Sequence, residues 1–585
     1  MNESIQNKIR EWTSAPYDQD TIAEIKSLAA ANNEAELTDR FYRDLEFGTG
    51  GLRGVLGAGS NRMNIYNVRK VTQGLANYIL RNNGAPMGVV IGRDSRHQSD
   101  RFAEAAAGVF TANGIKVYYY DDIHPTPTVS FAIRRLSAIC GIMITASHNP
   151  KEYNGYKVFW DDGAQVTPPH DTAIIDEVKN VSDLSMVKVM PFDQVQSSPL
   201  FQVIDSEVDP IFYAKTKSLS IHPEVIPAAP VKICYSPLYG TGYKMVPAAL
   251  KEFGFKDILM VAEQSVPNGD FPTTPKPNPE EISAMQMGID CAKKNAADVF
   301  IATDPDADRI GAVLRKKDGS YLLLNGNQIA TLLVYYVTSE LKNTGKMPPN
   351  PRMVSTIVTT DLIFAIAESN GVKTYSTLTG FKWIGLITRG FAKTGETFIF
   401  GCEESHGYNA ADFVRDKDAV NASCLFAEMT AYYGSKGLSV AEVLDNIYTE
   451  YGYYRESQVS ITMKGMDGAE QINGLMRRLR AETPKKVGSY DVLTVTDVQN
   501  STLLDMKTNS NSPIELPKSN VILLHLSDKA KVVARPSGTE PKIKFYFTTY
   551  GKSAADSLAD VKARTESAHE ALKKDFLASL GLREG

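Results

Sequence analysis

CGIMITASHNP, residues 140–150, is an apolar run from Cys140 to Ile144 that passes without a break into the polar turn Thr145-Ala146-Ser147-His148-Asn149-Pro150. A short apolar run bounded by turn-forming residues reads as a buried strand. GVVIGRD (88–94) and IKVYYYDD (115–122) upstream are of the same kind, and the helix-forming FAEAAAGVFTANG (102–114) lies between them. Strands of this type alternating with helices predict a mostly buried, largely parallel sheet of the α/β class.

The same unit recurs twice: from VKICYSPLYG (231–240) to DVFIATDPDADR (298–309), and from RMVSTIVTTD (352–361) to TFIFGCEESHGY (397–408). Each ends on an apolar strand that runs straight into a polar loop. Ligands of open α/β sheets bind beyond the carboxyl ends of the strands, so the three loops are expected to converge on one cleft. From about residue 450 the pattern changes to ESQVSITM (456–463), NVILLHLS (520–527) and KIKFYFTTY (542–550) before a long terminal helix, which reads as α+β. In that helix Ala554, Leu558, Val561, Thr565, Ala568 and Leu572 recur at three- and four-residue spacing, as a packing face does.

The expected domains are 1–205, 206–322, 323–448 and 449–585, with SEVDP (206–210) and EYGYY (450–454) near the first and last boundaries. The length of 585 residues agrees, since one core rarely serves more than about 250–300. Basic residues number 63 and acidic residues 68, for a net charge of -5, so nothing draws the whole protein to nucleic acid or an anionic membrane, and an anionic substrate needs a local basic pocket. MNESIQNKIREW lacks the apolar core of a signal peptide and no apolar run reaches the length of a membrane span, so a cytoplasmic location is expected. Five scattered cysteines with no C-x-x-C spacing argue against a disulfide framework or a zinc site.

The loops carry the chemistry. Ser147 beside His148 suggests a nucleophile, but Thr145 and Asn149 stand where the glycines of G-x-S-x-G belong. In Asp304-Pro305-Asp306-Ala307-Asp308-Arg309 three carboxylates alternate; in an extended segment they would point the same way and converge on one cation, and oxygen-only ligation suits magnesium. An EF-hand is excluded because Arg309 stands at its glycine and Arg315 at its closing glutamate. Arg535-Pro536-Ser537-Gly538-Thr539-Glu540-Pro541-Lys542 has the parts of a phosphate clamp but is not a P-loop. Phe47-Gly48-Thr49-Gly50-Gly51-Leu52-Arg53-Gly54 is Gly-rich, yet Arg53 takes the place of the third glycine of a dinucleotide fingerprint. Gly401-Cys402-Glu403-Glu404-Ser405-His406-Gly407 offers acceptors and a hydroxyl suited to sugar hydroxyls, with Arg415 and Lys417 downstream. Each loop has a plain alternative as a solvated turn.

Taken in order, FGTGGLRG, TASHNPKEYNGYK, DPDADR, GCEESHG and RPSGTEPK resemble the α-D-phosphohexomutase family over nearly the whole chain, with Ala307 where many relatives have glycine. NPKEYNGYKVFW and DPDADR look like the branch that holds cytosolic phosphoglucomutases, phosphopentomutases and glucose-1,6-bisphosphate synthase. The resemblance implies four domains around a cleft, the fourth mobile, and a Mg²⁺-dependent phosphoglucomutase with glucose 1,6-bisphosphate as intermediate and activator. It implies that Ser147 is the phosphoserine and a metal ligand together with Asp304, Asp306 and Asp308. Arg53, His148, Lys157, Arg309 and Lys417 would surround the transferring group, and Glu403 and Ser405 would read sugar hydroxyls. Arg535, Ser537, Gly538, Thr539 and Lys542 would hold the other phosphate, while His406 has no role.

Mannose and pentose phosphates, and net bisphosphate synthesis, are alternatives within that branch. A phosphosugar phosphatase would differ by releasing free phosphate. A non-catalytic sugar-phosphate sensor is disfavoured by the intact serine, aspartates and clamp. A small phosphosugar is the expected partner, and a monomer is expected, with a dimer as the alternative.

Overall fold

The computed structural model describes residues 3–48, 50–463, 468–537 and 542–583. Four sheets follow one another along the chain. The first has the strand order Gly51–Val55, Tyr153–Trp160, Cys140–Ile144, Val89–Arg93, Val117–Tyr119, Phe201–Val203. Its first two pairings are antiparallel and the other three parallel. The second runs Tyr321–Leu323, Ile310–Arg315, Val299–Thr303, Ile233–Ser236, Ile258–Met260, again antiparallel and then parallel. The third runs Lys373–Thr377, Pro351–Thr356, Thr397–Glu403, Gly407–Asn409, with only the last pairing antiparallel.

One topological point is common to all three. A parallel strand (Cys140–Ile144, Val299–Thr303 or Thr397–Glu403) turns back on an antiparallel neighbour, and that turn is the polar loop. Cys140–Ile144 and Val299–Thr303 are buried at every position, which is why they read as unbroken apolar runs rather than alternating ones. The Ala-rich helix Ser99–Ala112 buries Phe102, Ala103, Ala106 and Phe110, and the chain leaves it through Gly114 at φ 74°.

The fourth sheet is antiparallel throughout, from Tyr453–Thr462 through Lys542–Gly551, Lys531–Pro536, Ile522–Leu526, Tyr490–Asp497 and Thr502–Asp505 to Ser510–Pro513. The terminal helix Leu558–Ser579 packs against it through Val561, Thr565, His569, Leu572, Phe576 and Leu577. The stripe expected from sequence is corrected at two points: Ala554 precedes the helix and is exposed, and His569 takes the buried place given to half-buried Ala568. SEVDP lies within the helix Asp205–Lys217. EYGYY does span a junction, from the end of Val440–Tyr451 through Gly452 into Tyr453–Thr462. Gly452 has φ 101°, and a Cβ there would stand 2.4 Å from the Tyr550 ring, so both backbone and space require glycine.

Four of the cysteines are buried, Cys291 is half-buried and none is paired. Among the described residues no helix is long and apolar enough to cross a membrane.

Candidate active site

Ser147 sits in the first turn with φ 53°, a left-handed conformation that costs a residue with a Cβ about 1 kcal/mol or more. A buried network holds it there. The Ser147 backbone N–H donates to Thr145 Oγ1 at 2.8 Å, and the Thr145 hydroxyl donates to Asp94 Oδ2 at 2.6 Å. The Arg96 guanidinium donates to the carbonyls of Ser147 (2.5 Å), Asn149 (2.5 Å), Pro150 (2.8 Å) and Tyr153 (3.1 Å), and lies 5.0 Å over the Phe271 ring of the second unit. The Ser147 hydroxyl donates to Asp304 Oδ2 at 2.8 Å and lies 3.2 Å from His148 Nδ1. Burial first, then the charges of Arg309 and Arg53, hold the His148 imidazole well below its ordinary pKa, so it is neutral at pH 7.

Asp304, Asp306 and Asp308 are buried, and each offers an oxygen within 4.8 Å of the others. They meet by a different route from the extended alternation expected from sequence. The loop is a tight turn: Ala307 has φ 48°, its N–H donates to the Asp304 carbonyl at 2.9 Å, and the N–H groups of Asp308 and Arg309 donate to Asp304 Oδ1 at 3.1 and 3.0 Å. Thr126 of the first unit supports the cluster, donating from its hydroxyl to Asp306 Oδ2 at 2.7 Å.

Lys157 Nζ stands 2.6 Å from Asp306 Oδ2 and 3.1 Å from Asp308 Oδ2, and Lys417 Nζ is 3.1 Å from the same Asp308 oxygen. Burial opposes ionisation of Asp308, but Lys157, Lys417 and Arg309 outweigh it and hold that carboxyl below the usual range. Burial and its two carboxylate neighbours push Asp304 well above that range. Asp306 Oδ1 and Asp308 Oδ1 are buried with no hydrogen-bond partner among the described residues. Oxygen donors that are buried, anionic and partly unsatisfied fit a hard divalent cation.

Glu403 is buried at the end of the third unit's strand, where its Oε1 accepts from the Gly380 N–H at 2.7 Å, and Ser405 is half-buried in the turn that follows. This turn is stitched to the aspartate loop: Arg309 and Gly407 form a β-bridge, and the Ile310 N–H donates to the His406 carbonyl at 3.1 Å. His406 Nδ1 bonds the Ile310 carbonyl at 2.9 Å. Arg53 is exposed and donates to Asn149 Oδ1 at 3.4 Å. In the fourth unit Arg535 is half-buried at the end of Lys531–Pro536, and the Ser537 N–H donates to the Lys542 carbonyl at 2.7 Å. Gly538 and Thr539 lie outside the described residues. The fourth unit meets the third through an apolar cluster around Ile357, Leu378, Val521 and Val533, and through a Lys531–Asp361 ion pair at 2.8 Å.

The structure brings Ser147, His148, Lys157, Asp304, Asp306, Asp308, Arg309 and Lys417 into one cluster, and sequence reading did not point to their supports. Asp94, Arg96 and Thr126 gave only the signal of polar residues at strand and turn ends, and Glu280, which pairs with Arg309, gave none beyond its Pro-rich surroundings.

Three α/β units that bring a serine, a carboxylate cluster and basic side chains together define an enzyme of phosphoryl-transfer type. The descriptions "Phosphoglucomutase/phosphomannomutase, alpha/beta/alpha domain" I, II and III match residues 44–185, 212–319 and 325–451. The chain belongs to this family, the α-D-phosphohexomutases, and is a sugar-phosphate mutase, an isomerase. It is 34% identical to a Schizosaccharomyces pombe protein named "Probable phosphoribomutase", over 98% of both chains. Identity to a phosphoglucomutase of Staphylococcus epidermidis is 36% (89% of this chain, 94% of the relative). Identity to a phosphopentomutase of Pongo abelii is 33% (92% of this chain, 90% of the relative).

Proposed function

We propose that the chain interconverts glucose 1-phosphate and glucose 6-phosphate through a phosphorylated Ser147, with glucose 1,6-bisphosphate as the intermediate. The observation that carries this is the Ser147 hydroxyl, fixed 2.8 Å from Asp304 within the three-carboxylate cluster. Asp304, Asp306 and Asp308, with the phosphate on Ser147, would hold Mg²⁺, which when bound neutralises charge on the phosphoryl oxygens.

In the forward half-reaction the sugar's free hydroxyl oxygen bonds to phosphorus as the bond from phosphorus to Ser147 Oγ breaks. The proton the sugar loses returns to Ser147 Oγ, and neutral His148, 3.2 Å away, is placed to hold it in passage. The bisphosphate then turns over, and Ser147 Oγ takes the other phosphoryl group back, restoring the phosphoserine. The carboxylates, metal and phosphoserine carry a formal charge of about -3, which Lys157, Lys417, Arg309 and Arg53 offset. Glu403 and Ser405 read the sugar hydroxyls. Arg535, Ser537 and Lys542, with Gly538 and Thr539 by motif, hold the phosphate that is not reacting.

The test is a coupled assay comparing glucose, mannose and ribose 1-phosphates with a trace of bisphosphate. The highest kcat/KM is expected for glucose. The full-length match to a phosphoribomutase favours one second reading, pentose phosphate, which dominance of ribose 1-phosphate would establish. Release of free phosphate in place of product would make the chain a phosphatase.

A further inference from the structure

Glu280 stands outside the motifs of the sequence, yet the fold sets it against Arg309 of the carboxylate turn. It ends the sequence Pro275-Lys276-Pro277-Asn278-Pro279-Glu280, whose three prolines leave the loop few conformations. The loop is pinned further: the Glu280 N–H donates to Asn278 Oδ1 at 3.2 Å, and Pro279 packs so closely on Gly311 that a Cβ there would meet the Pro279 carbonyl at 2.8 Å. The carboxylate is thus presented from a rigid mount. Its Oε1 takes Arg309 Nη1 at 2.5 Å. Arg309 is itself β-bridged to Gly407, two residues beyond Ser405, so Glu280 lies beside the turn that carries Glu403 and Ser405. Its charge acts on Glu404 and His406 of that turn and on Lys544 of the fourth unit.

Two facts separate Glu280 from a simple structural anchor. Its side chain remains 35 % exposed while Arg309 is 16 % exposed, so one side of the carboxylate is open. Oε2 has no hydrogen-bond partner among the described residues. An anionic acceptor, held rigid and half-used at the edge of a sugar site, is suited to a hydroxyl donor and unsuited to phosphate, which it would repel.

We propose that Glu280 is a specificity-determining residue of the sugar site, with Oε1 fixing Arg309 and Oε2 accepting a hydrogen bond from a hydroxyl of the bound sugar. This rests on the mutase reading. It adds a third hydroxyl acceptor, on the second unit, facing the pair on the third.

The test measures kcat and KM for glucose 1-phosphate and its 2-, 3- and 4-deoxy analogues in the wild type, E280Q and E280A, together with melting temperature. In the wild type one analogue is expected to lose about 10- to 100-fold in kcat/KM, the scale of a hydrogen bond to a charged group. In E280A that penalty should collapse to within about threefold, mainly through a higher KM for the parent sugar, while the melting temperature stays near wild type. Should E280A fail to fold, the near-isosteric E280Q carries the comparison, with the penalty reduced. The proposal is overturned if every analogue keeps its wild-type penalty, or if both variants lose the same factor on all four sugars, which marks an anchor for Arg309 alone. A wild type that interconverts none of the sugars removes the mutase reading and this one with it; an active wild type with a pattern independent of Glu280 removes this one alone.

Discussion

The turn that carries Ser147 and the segment that follows Arg535 look alike in sequence, each a polar stretch between two strands, but Ser147 and Arg535 are set in the protein in different ways. Ser147 is 3 % exposed and is tied through Thr145, Asp94, Arg96 and Asp304 to two units at once. Arg535 is half-buried, on a sheet that meets the third unit through the apolar cluster around Ile357 and Val533, through Tyr453 and Tyr454 packed beside Tyr448, and through the Lys531–Asp361 pair, and whose connection passes through Gly452. Phosphoryl transfer gains from fixed geometry, since reacting atoms must meet at about 3–3.5 Å. Holding the far phosphate of an intermediate that turns over asks instead for a part that can release and close again. The contrast we propose is between a site held rigid and an arm that closes on the far phosphate.

The rigid half is broken most severely at its carboxylates. Asp306→Asn removes one of the two carboxylates paired with Lys157 and one of the three acids of the cluster, so turnover is expected to fall at least about 100-fold, with a higher Mg²⁺ requirement and little change in sugar binding. Full activity of this variant at limiting Mg²⁺ would make the 304–308 turn merely structural.

At the arm, Arg535→Ala should raise KM for the sugar phosphate by about 10- to 100-fold, the loss of charge-assisted hydrogen bonds, with a smaller effect on kcat. A sugar bisphosphate should also make the wild type more compact in solution scattering and leave Arg535→Ala unchanged. Identical wild-type profiles with and without saturating bisphosphate would mean a rigidly docked arm.

Glu404 gives the finest probe. Burial, then Glu403 beside it, pushes its carboxyl up to about 7, while Arg535 pulls it down. Because the folded value is raised, the stability this group contributes is present below its ordinary value of 4.5 and is lost as pH rises through about 7. The wild type should therefore melt at a progressively lower temperature than E404Q between pH 4.5 and 8. A difference that stays flat over that window would show Arg535 docked on Glu404 without ligand, removing the contrast between the two turns.

Much of this was legible in the sequence for a physical reason. Strands buried on both faces must be apolar, so an abrupt change to Ser-His-Asn-Pro or Asp-Pro-Asp marks where a sheet ends and chemistry can begin. What sequence hid arises from tertiary contact. Ala307 tolerates a positive φ because the turn bonds of Asp304 hold it, and nothing in its side chain announces that. Arg96 and Thr126 act through partners 51 or more positions away, and Glu280 and Arg309 lie 29 apart, so no local pattern links them.

The central claim is that Ser147 carries the phosphoryl group between the two ends of the sugar. Its most direct test is peptide mass spectrometry of wild type and Ser147→Ala after incubation with glucose 1,6-bisphosphate and Mg²⁺, read beside the mutase rate. One phosphoryl group on Ser147 is expected in the wild type and none in the variant, which should stay folded while turnover falls at least about 10⁴-fold. A phosphoryl group on another residue, or wild-type turnover in Ser147→Ala, would contradict the account.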